Sequence, residues 1–138
     1  MASGGIYDHH LPQTAANYIP LTPISFLERT ADIYPHRTSV VYGKRRYTWA
    51  ATHSRALALA SALRRRDIGT GDTVAILSAN IPEMFEAHFG VPMSGAVLNA
   101  INVRLDSDTI RFILGHGEAK ALIVDPELAP EAQEALDG

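Results

Sequence analysis

Two lysines, six histidines and fifteen acidic residues are the groups through which this chain could bind phosphate, hold a metal or move a proton. A nucleotide-binding loop of the Walker type needs a glycine-rich turn ending in Gly-Lys and a hydroxyl residue, so that backbone N–H groups and an ammonium converge on phosphate. Lys44 and Lys120 do not follow such a turn, and no Gly-x-Gly-x-x-Gly occurs. Gly69-Thr70-Gly71-Asp72 comes nearest, but it precedes a strand pattern, whereas a phosphate loop follows a strand and opens a helix. It reads as a tight helix-to-strand turn.

The histidines suggest little chemistry. His9 and His10 are adjacent near the amino terminus, where a solvated pair is the plainer reading than a metal site. His88 lies among Phe85 and Phe89 on a helical pattern and reads as a packing histidine rather than a base. His36, His53 and His116 stand singly near element ends. Asp106 and Asp108 could be paired carboxylates, yet both fall at a helix start, where acids suit the dipole. Arg64, Arg65 and Arg66 close a helix, where cations suit it. Asn102 and Arg104 lie just past an apolar strand. Open α/β sheets bind ligands there, although a loop-stabilising role is the simpler reading. No residue is assigned a catalytic, cofactor-binding or metal-binding role.

The elements that would position these groups follow from periodicity. Residues 1–20 read as an extended lead-in punctuated by Gly4, Gly5, Pro12 and Pro20. Thr22 and Pro23 predict a helix start, followed by Ile24, Leu27 and Ala31 at helical spacing and stopped before Pro35. Ser39–Tyr42 and Arg45–Tyr47 flank Gly43-Lys44 and predict a hairpin. Thr48 caps a second helix whose stripe is Ala56, Leu59, Ala60 and Leu63.

From Gly71 the pattern becomes strand, helix, strand, helix, strand. The strands are Thr73–Leu77, Ala96–Ile101 and Lys120–Val124, each an apolar run suited to a buried parallel sheet. Asn80 and Glu83 have capping-box spacing ahead of a helix from Pro82, which Pro92 should kink or end. Asp106 caps a helix bearing Ile110, Ile113 and Leu114 that ends at Gly115 or Gly117. A further helix is expected within 126–136. The fold class is therefore α/β, with a hairpin ahead of a parallel βαβαβ unit flanked by helices.

Composition bounds the rest. An apolar fraction of 46% supports a buried core, and a net charge of −3 lacks the basic excess of a nucleic-acid binder. No cysteine is present, so disulfides, thiolate zinc sites and cysteine nucleophiles are excluded. No stretch is long and apolar enough to span a membrane, and the first residues lack a secretory pattern; the chain is expected in the cytoplasm.

Several stretches match one family in order. They are Asn17-Tyr18-Ile19-Pro20-Leu21-Thr22-Pro23, Tyr34-Pro35-His36-Arg37, Arg46-Tyr47-Thr48-Trp49, Gly71-Asp72-Thr73-Val74-Ala75, Asn80-Ile81-Pro82-Glu83-Met84, Gly95-Ala96-Val97-Leu98-Asn99 and His116-Gly117-Glu118-Ala119-Lys120. Together they resemble the N-terminal part of the AMP-forming acyl-CoA synthetases of the acyl-adenylating superfamily. The nearest branches are bacterial fatty-acid and methylmercaptopropionate CoA ligases and plant acyl-activating enzymes. The resemblance implies ATP, Mg2+ and coenzyme A for the full-length enzyme, a carboxylic acid as substrate, and two steps: acyl-adenylate formation, then thiolysis to acyl-CoA.

The family's phosphate loop and catalytic lysine have no counterpart in this sequence. Residues 21–138 are thus expected to be a partial AMP-binding domain, truncated before that loop and inactive alone, with the remainder of the synthetase as partner. The alternative is a stand-alone, non-catalytic binding or assembly module derived from the family. A flavodoxin-like nucleotide domain fits the hairpin less well. Uncovered strand edges further lead us to expect that the isolated chain is molten, aggregated or dimerised.

Overall fold

The computed structural model describes residues 14–138; His9, His10 and most of the lead-in lie outside them. Helix α1 (Pro23–Ile33) starts where proline fixes φ at the first turn. Thr22 Oγ1 accepts the Ser25 N–H while Ser25 Oγ accepts the Thr22 N–H, a reciprocal cap that the sequence reading did not include. Strands β1 (Thr38–Tyr42) and β2 (Arg45–Thr48) form an antiparallel hairpin separate from the main sheet. Its turn needs the left-handed conformation at Gly43, φ 56°.

Helix α2 (Trp49–Arg64) opens on the Thr48 hydroxyl, which accepts the Ala51 N–H. Fully buried Thr52 lies 2.6 Å, Oγ1 to Oγ, from Ser39, whose hydroxyl donates to the Tyr47 carbonyl, so α2 is pinned to both hairpin strands.

The main sheet has strand order β4-β3-β5, with β3 (Thr73–Leu77) central and parallel to both β4 (Val97–Ile101) and β5 (Ala119–Val124). Helix α3 (Pro82–Ser94) joins β3 to β4, and α4 (Ser107–His116) joins β4 to β5. Because the two crossovers run in opposite directions along the sheet, their helices fall on opposite faces. The alternation along β3 shows it. Val74 and Ile76 pack with Leu63, Ala87 and Val91 on one side. Ala75 and Leu77 pack with Ile101, Ile110 and Ala132 on the other. A short 3-10 turn and α5 (Ala129–Asp137) complete the second face, as expected for 126–136.

Two local expectations are corrected. Asn80 does not cap α3: Ile81 occupies the N-cap position, its side chain offers no acceptor, and no side chain caps there, while Glu83 pairs with Arg45 and Arg55. Pro92 does not end α3, which continues to Ser94. Its missing N–H falls in the last turn. The helix is closed by Gly95 in the left-handed region, φ 94°, where a Cβ would sit 2.7 Å from Thr70 Oγ1. Helices α2 and α3 approach closely at Gly90, where a Cβ would lie 2.8 Å from Leu59 Cδ2.

Candidate functional site

In a sheet of order β4-β3-β5 the chain reverses direction at β3, which opens a crevice beyond the carboxyl ends of β3 and β5. Ser78, buried at the end of β3, and Asp125, at the end of β5, mark it. A cavity of about 350 Å3 lies there, walled by Ile76, Ser78, Ile81 and Val124 and roofed from the hairpin side by Arg45 and Glu83. The Asp125 N–H donates to the Leu77 carbonyl at 2.9 Å, and the Asp125 carboxylate accepts the Glu127 N–H, so this acid is spent on its own turn.

Arg45 reaches the crevice because β2 places it and Tyr47 on one face. Its guanidinium bonds Tyr47 Oη and pairs with Glu83 on α3. Arg55 on α2 also stacks over the Tyr47 ring, 4.9 Å from its centroid, and pairs with Glu86 and, at 3.6 Å, with Glu83. Hydrogen bonds donated to Glu83 and Tyr47 hold the Arg45 guanidinium above its ordinary value. Burial pushes the Glu83 carboxyl up, but the Arg45 hydrogen bond and the charges of both arginines outweigh it, leaving the group below its usual range. Arg45, Arg55, Tyr47, Glu83 and Glu86 were not singled out from the sequence as one group. The pairs are 38 and 31 residues apart, and the only local trace is Glu83 and Glu86 at helical spacing.

The residues weighed from sequence are scattered. Lys44 sits on the exposed hairpin turn. Lys120 and Asp72 meet at 2.5 Å at the amino end of the sheet, opposite the crevice. Asp72 also accepts the Gly69 N–H, so residues 69–72 close a turn on themselves, and the Lys120 and Gly69 hydrogen bonds hold its carboxyl below the usual range. Asn102 and Arg104 follow β4 at the carboxyl end, where the Asn102 side chain accepts the Arg104 N–H at 3.0 Å. Asp106 accepts the Thr109 N–H as the α4 cap, and Asp108 pairs with Arg111 at 2.8 Å. The exposed His88 ring has Nδ1 2.8 Å from the Met84 carbonyl, and His116 stacks on Phe112. A second, apolar cavity of about 600 Å3 lies between β1 and α3, lined by Tyr42, Met84, Phe85 and Phe89.

The arrangement can bind and position but supplies no acid–base or nucleophilic pair. Among the described residues no three metal-ligating side chains converge, and the carboxylates near the crevice are committed to arginines or to helix caps. These residues do not fit a magnesium–triphosphate group.

The family model described as AMP-binding enzyme matches residues 27–138. An acetate–CoA ligase of Humulus lupulus is 53% identical over 91% of this chain, and a peroxisomal acetate/butyrate–CoA ligase of Arabidopsis thaliana is 52% identical over 91%. The chain spans 22% of the length of each. A crystal structure described as a long-chain-fatty-acid CoA ligase from Rhodopseudomonas palustris superposes with a TM-score of 0.80 at 35% identity, over 85% of this chain and 30% of the other.

Proposed function

The chain belongs to the AMP-binding enzyme family, and from that premise we propose that it is the N-terminal scaffold portion of an ATP-dependent carboxylic acid–CoA ligase. In that reading residues 1–20 lead in and residues 21–138 form part of the large AMP-binding domain. The complete ligase would join a carboxylate to the α-phosphate of ATP, with Mg2+ present, and then pass the acyl group to coenzyme A. The substrate class is a carboxylic acid; fatty acid metabolism is the expected setting. The remainder of the synthetase is the partner.

The observation that supports a scaffold role is the commitment of Lys120, Asp106, Glu83 and Glu86 to structural partners. Lys120 is held by Asp72, Asp106 by its helix, and Glu83 and Glu86 by arginines. Transition-state stabilisation in adenylation demands donors aimed at developing charge, and here the donors are aimed at neighbouring acids. The chain alone should therefore release no pyrophosphate above background from ATP and Mg2+ with acetate, butyrate or a long-chain fatty acid. Acid-dependent release would overturn the inactive reading.

A second reading, the stand-alone binding or assembly module, draws support from the two apolar cores that already cover both faces of the sheet. The downstream coding sequence discriminates the two: a phosphate-loop motif in frame favours the ligase portion. As to compartment, no described helix is long and apolar enough to cross a membrane. We retain the cytoplasm as the expectation and test it by fractionation, since the Arabidopsis relative's name places that protein in the peroxisome.

A further inference from the structure

We draw no further inference here: the strongest candidate, the apolar cavity of about 600 Å3 between β1 and α3 that Tyr42, Met84, Phe85 and Phe89 line and that the exposed His88 borders, carries nothing, because nothing in the structure shows what covers it.

Discussion

The hairpin and the parallel sheet are held by different physics. Four consecutive residues of β3, Val74 to Leu77, are at most 1% exposed, and they anchor two apolar cores. The hairpin presents Val41 and Tyr42 to solvent, 61% and 45% exposed, and is joined to the helices by Arg45, Arg55, Tyr47 and their acidic partners. Burial is roughly additive in area and blind to direction, whereas an ion-pair network depends on placement and loses most of its value to water when exposed. The sheet should therefore dominate stability and the hairpin should be the first part to open.

The largest effect tests the sheet. Ile76→Ala removes a side chain that is 1% exposed and packed against α3, and should cost about 2–5 kcal/mol in denaturant unfolding. Val41→Ala, the same kind of truncation on the hairpin, should change stability by less than about 0.5 kcal/mol. Equal losses at the two positions would show that the contrast is misread.

A smaller effect tests the network. Glu86 is nearly buried, 8% exposed at its side chain, while its partner Arg55 is 41% exposed. Glu86→Gln keeps the shape and removes the charge. The full value of a charged hydrogen bond is discounted because water reaches Arg55, leaving an expected loss of about 1 kcal/mol. The loss should fall on the hairpin: amide exchange in residues 38–48 should speed up while that of β3 stays slow. Uniform acceleration across both regions would mean that hairpin and sheet open as one unit.

The same division explains what could be read from the sequence. The parallel strands were legible within a residue at each end because a doubly covered strand must be apolar along its length, and Thr73–Leu77 has no other use for that composition. Gly43 and Thr48 were legible because a left-handed turn and a helix cap each select few residue types. The α3 start at Pro82 was legible, but its cap was misread. Glu83 at the right spacing from Asn80 satisfies the local rule for a cap, yet the helix opens one residue later on Ile81, and Glu83 pairs with Arg45 and Arg55. Pro92 was misread because its cost depends on where the helix ends, which Gly95 decides. The Arg45–Glu83 and Arg55–Glu86 pairs join residues far apart in the chain, and nothing in either local pattern names the partner.

The smallest effect separates the regions by pH. Glu83 clasps the hairpin and Asp72 clasps the amino end of β5 to the turn before β3. Both carboxyls are held below their ordinary values, Glu83 by Arg45 and Arg55 against a contrary burial effect, and Asp72 by Lys120 and the Gly69 N–H. A depressed carboxyl binds a proton more readily in the unfolded chain than in the folded one. Its contribution is therefore complete above the unfolded value, about 4 for these acids, and is lost as pH falls through the lower folded value. Thermal midpoints should be flat near neutrality and decline below about pH 4. Glu83→Gln should lower the midpoint at neutral pH and flatten the acid decline, and Asp72→Asn should do the same independently, because the two clasps sit at opposite ends of the sheet and share no partner. An acid decline as steep in the double variant as in the wild type would assign the pH response to other carboxylates and remove these two clasps from the account of what holds each region.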